Sequence, residues 1–416
     1  MRDFHIDVTS LQNLPTCSLS IAVKGQPVTE HFNEQDVLQT HIIVDPLPLA
    51  EWMAANWWRL RWEPEKENLT TEQQLDWDMS HRLASSGTGY VWPDLTFISD
   101  DFAINCLART TSGKFSKIRY IRQLNEWIDA IFFEAGMDEF LNTTAMANPN
   151  SNLAVLWQEV IDERRDVYAT KWRKLEAKAG YDAGEASDAL IEGLQSYYPI
   201  FGEASVEELS SENRSDTVLQ IAEGLYSSLQ DTSEEMRPDL VGFQEQFPGL
   251  LVNGSSPPWK QAANTAHWVR RKLGLKASEP VTNERLLEYL DVGKQVFNQH
   301  RKTALASAGL KKDQARAMVL LSPGRETAQR FALSRLLGDY LYTYQKDDSQ
   351  LLSTTHSRTN RQKFQRAFAQ ELLCPYEGLL ETMDTAQPSE ESLEKSAELY
   401  KVSPLTVRYT IENKQS

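Results

Sequence analysis

Two kinds of periodicity divide this chain. Up to about Thr110 the apolar residues come in short runs, such as Leu19-Ser20-Ile21-Ala22-Val23 and Thr40-His41-Ile42-Ile43-Val44, bounded by turn-forming residues, which predicts strands. One helix is predicted among them over residues 49–61, with Pro46 and Pro48 before it and Pro64 after it. From about Ser116 the spacing becomes helical: Ile118, Ile121, Leu124, Trp127 and Ile128, then Leu153, Leu156, Trp157, Val160 and Ile161. Gly, Ser and Pro accumulate over 248–259 and mark the clearest boundary. Beyond it the pattern predicts helices over 261–273 and 283–290 and a strand over 317–321, with further helices to the end. The expected fold class is α+β in three parts. Residues 1–115 form an N-terminal α+β module with a Trp-rich helix, 116–250 a helical middle region, and 257–416 a mainly helical domain with a small sheet.

Length agrees with several domains, because 416 residues exceed what one hydrophobic core usually serves. The net charge of -16 is unevenly placed. Residues 181–250 hold 15 acids against 2 Arg, whereas 251–370 hold 20 Lys and Arg against 9 acids. Adjacent blocks of opposite sign suggest that they face each other, or that the basic one meets nucleic acid or an acidic protein. Cys17, Cys106 and Cys374 lie far apart with no C-x-x-C pair, so neither a disulfide framework nor a zinc knuckle is expected. The N-terminus lacks a signal-peptide pattern and no apolar run reaches membrane-spanning length, so a cytoplasmic protein without membrane contact is expected.

Five tryptophans, Trp52, Trp57, Trp58, Trp62 and Trp92, form a candidate aromatic cluster. They suit core packing, or a pocket for a base, a sugar or a partner side chain with Trp77, His81 and Tyr90. No G-x-S-x-G elbow, phosphate-loop signature or catalytic-type Cys occurs.

The segment SPGRETAQRFALSRLLGDYLYTYQ resembles the helix of the ImmA/IrrE family of zinc metallopeptidases, where Arg-Phe-x-Leu-Ala leads into His-Glu-x-x-His. Arg330, Phe331, Leu333 and Gly338 match it. NRQKFQRAFAQELLCP resembles the family's third-ligand helix through Phe368, Ala369, Glu371, Leu372, Leu373 and Pro375. The closing Val402-Ser403-Pro404 turn resembles that of the family's last helix pair. In this register Arg335 stands at the first His, Leu336 at the Glu, Asp339 at the second His and Gln362 at the third ligand. A guanidinium donates no lone pair to a metal, leucine offers no base, and one carboxylate is too few ligands. The resemblance therefore implies a degenerate zincin-like domain with no metal, no cofactor and no catalytic residue, in which Arg335 and Asp339, four residues apart, pair with each other.

The function expected from this is a non-catalytic regulatory or interaction protein of bacteria, in stress response, mobile-element control or phage defence. Its former substrate groove would hold a protein partner, with Arg358, Arg361, Lys363 and Arg366 as binding candidates. One alternative is a nucleic-acid-binding regulator using residues 251–370. Another is a metallopeptidase with unorthodox ligands drawn from His267, His300, His356, Asp339, Asp347 and Asp348. The last helix pair, with 9 acids against 4 Lys and Arg over 371–416, is poorly equipped to read DNA. Sequence carries no signal for oligomeric state.

Overall fold

The computed structural model describes residues 3–10, 16–67, 69–87, 89–111, 116–212, 217–248, 257–276, 278–298 and 306–415. It has two compact units, and with 53% of residues helical and small antiparallel sheets the chain is α+β.

The first unit comprises Met1–Ile191, Ser210–Ser215 and Ser357–Thr359. Strands β1 (Phe4–Ser10) and β2 (Cys17–Val23) pair antiparallel from Phe4↔Val23 to Ser10↔Cys17, and β3 (Ile42–Val44) also pairs with β2. The single helix expected over 49–61 is two, α1 (Leu47–Ala55) and α2 (Trp57–Trp62). They break at Asn56, whose side-chain amide donates to the Trp52 carbonyl at 2.8 Å, the competition with helix backbone that makes Asn a helix-end residue. Helix α3 (Thr71–His81) starts at a capping box between Thr70 and Gln73.

Strands β4 (Asp94–Ser99), β5 (Ala103–Arg109) and β6 (Leu124–Asp129) form an antiparallel sheet in the order β6-β5-β4. Here the helical expectation for 118–128 is overturned. Leu124 and Ile128, four apart, share the buried face of a strand as readily as that of a helix, so their spacing did not discriminate. Helices α4 (Ala130–Ala147), α5 (Asn152–Arg165) and α6 (Val167–Ala179) follow as expected. Asp166 ends one and caps the next, accepting from the backbone N–H groups of Tyr168 and Ala169 at 2.8 and 2.9 Å.

The second unit comprises Glu192–Leu209, Asp216–His356 and Asn360–Ser416. Much of the acidic stretch belongs to it, as α7 (Glu203–Ser210), α8 (Thr217–Gln230) and β7 (Glu235–Met236). Then come α9 (Pro258–Lys272), α10 (Asn283–Leu290), β8 (Ala308–Lys311), β9 (Ala317–Leu320), α11 (Glu326–Tyr342), β10 (Leu351–Ser353), α12 (Asn360–Leu373), α13 (Glu390–Tyr400) and α14 (Pro404–Gln415). The predicted strand at 317–321 and the helices at 261–273 and 283–290 are present. The sheet is antiparallel in the order β7-β9-β8-β10, and Met236 and Phe243 join its core. Most of the 248–259 boundary, and His300, lie outside the described residues. Helix α11 is buried on every side from Leu333 to Tyr342, as a central helix must be, and α12 packs along it where Gly338 meets the Phe368 ring. Among the described residues no helix is long and apolar enough to cross a membrane.

Candidate functional site

The α11–α12 contact brings together the positions that the family resemblance singles out. Asp339, fully buried, takes both its oxygens to Arg361: Nε donates to Oδ1 at 2.6 Å and Nη2 to Oδ2 at 2.8 Å. The Ser353 backbone N–H adds a third bond at 3.1 Å. Arg361 also donates to the Leu351 carbonyl at 2.8 Å and to Ser205 Oγ at 3.3 Å, so it ties α12 to α11, β10 and α7. Burial alone would lower the Arg361 pKa, but the Asp339 carboxylate more than offsets it and holds the guanidinium above its ordinary value. Arg335 Nη2 donates to the Thr355 carbonyl at 2.7 Å and to Gln362 Oε1. The Gln362 amide in turn donates to the Ser353 carbonyl at 3.0 Å, and Gln365 does the same at 3.1 Å. Leu336 is buried in the hydrophobic core.

This geometry bears on two expectations. Asp339 takes Arg361 as a bidentate partner, because a guanidinium across the helix interface reaches both carboxylate oxygens side-on. Arg361 is itself no surface residue: only 6% exposed, with its donors engaged inside the fold, it is not open to an acidic partner. Arg358 is exposed and paired with Glu65 and Glu67, and Lys363 and Arg366 are half-buried on the other face of α12. Sequence spacing could not supply Ser205 and Glu208 of α7, which come from far upstream in the acidic stretch. Glu208 accepts from the Thr355 hydroxyl at 3.4 Å and acts electrostatically on Arg361.

The side chains present do not fit a zinc ion. Two guanidiniums and an amide donor converge where ligand lone pairs would have to, and the one carboxylate is already saturated. Among the described residues, no three His, Cys, Asp or Glu side chains gather in a way that could hold a metal. His267 instead lies 2.8 Å from Glu371, while His356, Asp347 and Asp348 are exposed.

The positive excess of 251–370 is partly interior. Arg270, Arg330, Arg335 and Arg361 are all buried, and Arg270 donates through Nη1 and Nη2 to the Leu372, Lys276 and Glu279 carbonyls. Such charges make no phosphate contacts. At the end of β8, the Lys311 pKa is pushed down to about 8, first by burial and then by Arg361.

In the first unit, Trp57, Trp58 and Trp92 sit in the core. Trp57 and Trp58 meet edge to face at 4.8 Å, and Trp58 donates to Glu163 at 2.8 Å. Trp52 donates to the Met79 carbonyl at 2.8 Å, and Trp62 lies against the Arg61 guanidinium at 3.7 Å. These contacts pack Trp57, Trp58 and Trp92 and anchor Trp52 and Trp62, which stay partly exposed. Beside them lies a buried charge cluster that sequence reasoning missed. Glu63 accepts from Arg59 at 2.7 Å and lies 3.0 Å from His81 Nε2, Arg59 also reaches Asp76 and Asp182, and Trp77 stacks on the His81 ring at 4.2 Å. Arg59 and Glu63 are four apart on a helix, the one local signal that pointed there.

Residues 294–412 match the model of the M78 peptidase family, described as an IrrE N-terminal-like domain. No curated protein and no solved structure matches the chain. The matched stretch contains α11, β10 and α12 with the convergent positions 335, 339 and 362. Residues 294–412 thus match the ImmA/IrrE family of metallopeptidase-like domains.

Proposed function

We propose that this protein is a non-catalytic member of its family, a regulatory scaffold of the bacterial cytoplasm that binds a segment of another protein without cutting it. One observation carries the reading. The positions of the family's ligands are held by Arg335–Gln362 and Asp339–Arg361 hydrogen bonds, so the side chains there are engaged with one another. Zinc hydrolysis needs a ligand set with lone pairs to donate, an open coordination position and a base beside it, and these side chains supply none of the three. The scaffold around them is retained, because helix packing through Gly338 and Phe368 does not depend on a metal.

The test is elemental analysis of the purified full chain together with a digestion assay on casein and on repressor proteins. Metal well below one equivalent with no cleavage is the expected result. Stoichiometric zinc with cleavage that a chelator abolishes would overturn the reading.

A further inference from the structure

A cleft of the second unit, of about 540 Å³, opens where the starts of α10 and α11 meet α13 and the turn after it. None of residues 335, 339, 361 and 362 lines it. Arg330 does, and only 1% of it is exposed. Its Nη2 donates to the Val281 carbonyl, while Nε and Nη1 find no acceptor among the described residues. Asn283 lines the same cleft, its amide nitrogen given to Glu326 and its Oδ1 left without a donor. Buried polar atoms without partners are uncommon in folded proteins and call for an explanation.

The rim adds charge of the other sign. Glu394 and Glu398, four apart on α13, line the cleft with Glu326, against Lys401, the single exposed cation of the lining among the described residues. Their neighbours Glu390 and Glu391 are paired with Arg408 and Lys395, whereas Glu394 and Glu398 have no ion-pair partner among the described residues. A ligand complementary to this cleft offers an acceptor to Arg330, a donor to Asn283 and cations to the rim. A peptide main chain carries the first two on a single residue, and Lys or Arg side chains carry the third.

We propose that this cleft binds an extended peptide segment rich in Lys and Arg. One of its carbonyls is taken by Arg330, one of its N–H groups by Asn283, and its side-chain cations by Glu394 and Glu398. The proposal rests on the reading of the domain as a binder of protein segments and names the chemistry of that segment. Nucleic acid is disfavoured by Glu394 and Glu398 of the rim, whose carboxylates repel phosphate.

The test uses the full chain and fluorescent pools of mixed-sequence hexapeptides, holding two basic residues, two acidic residues or no charge, with binding followed by anisotropy at 0.15 M salt. The basic pool is expected to bind. E394Q/E398Q weakens it about tenfold, and Asn283→Ala weakens it too. E377Q/E381Q, which removes the same charge from exposed positions elsewhere, leaves it unchanged and controls for general attraction to an acidic protein. Equal binding of the acidic pool, no binding of the basic pool, or equal losses in both double variants would overturn the proposal. The metal and digestion measurements are independent of these results, so failure here leaves the non-catalytic reading standing.

Discussion

At Asp339, a buried carboxylate meets a buried guanidinium, and each is satisfied only by the presence of the other and of nearby backbone groups. Removing one partner leaves an uncompensated charge in the interior, whereas removing both with apolar residues of similar size does not. Asp339→Ala is therefore expected to destabilise the second unit by about 3–5 kcal/mol, read from the urea midpoint, and Asp339→Leu with Arg361→Met to recover most of that loss. A midpoint unmoved by Asp339→Ala would mean the pair holds nothing together. The positions were legible in the sequence but the pairing was not, since spacing of four shows which residues share a helix face and cannot show that a residue 22 positions on reaches across from α12. Glu63 makes a second case at this scale. Burial alone would raise its carboxyl, but Arg59 foremost, with His81 and Lys66, holds it well below the ordinary range. A carboxylate depressed in the fold contributes stability that is fully present above its unfolded value of 4.5 and drains as pH falls towards the folded one. Glu63→Gln should lower stability at pH 7 and flatten the decline measured by unfolding between pH 5 and pH 3.

Among the elements, glycines show which contacts position the site. Gly202, with φ +81°, follows a short helical turn at Tyr198–Phe201, and a Cβ there would come within 2.3 Å of the Asp348 backbone. The same corner receives the Gln350 N–H on the Phe201 carbonyl at 2.7 Å and gives the Ala204 N–H to the Asp348 carbonyl at 2.9 Å. It clamps the start of α7, and so Ser205, against the connection between α11 and β10. Gly202→Ala faces both left-handed strain and a backbone collision, and is expected to cost about 2–4 kcal/mol. Gly224, exposed in the middle of α8 with nothing within 4 Å of where a Cβ would stand, is the contrasting position. Gly224→Ala should stabilise by about 0.5–1 kcal/mol through helix propensity alone, and thermal melts of the two variants should shift in opposite directions. Elements with a long apolar period, such as α9 and α12, were readable because only a helix buries residues spaced that way. β6 was not, because six residues are too few to separate a period of two from one of 3.6 when the apolar residues fall four apart.

Over the whole molecule, charge suggested two opposed blocks, an acidic middle and a basic C-terminal domain, while the fold interleaves them. Glu235 lies on β7 and holds Lys312 at 2.9 Å, and its neighbour Met236 is fully buried in the core of the second unit with Phe243. The acidic stretch is thus no detachable cover that a partner displaces: removing it takes away an edge strand, two core side chains and the Ser205 hydroxyl that bonds to Arg361 and the Leu351 carbonyl. A sequence cannot announce this, since net charge says where a chain is solvated and says little about which strand it pairs with. The expected outcome follows from the lost burial. A fragment of residues 257–416 should show no cooperative thermal transition in near-ultraviolet circular dichroism, while one of residues 192–416, which restores β7 and the Gly202 corner, should melt cooperatively. If the shorter fragment melts as sharply and as high as the longer, the acidic segment is dispensable to the fold, and its carboxylates are free to act as a displaceable cover after all.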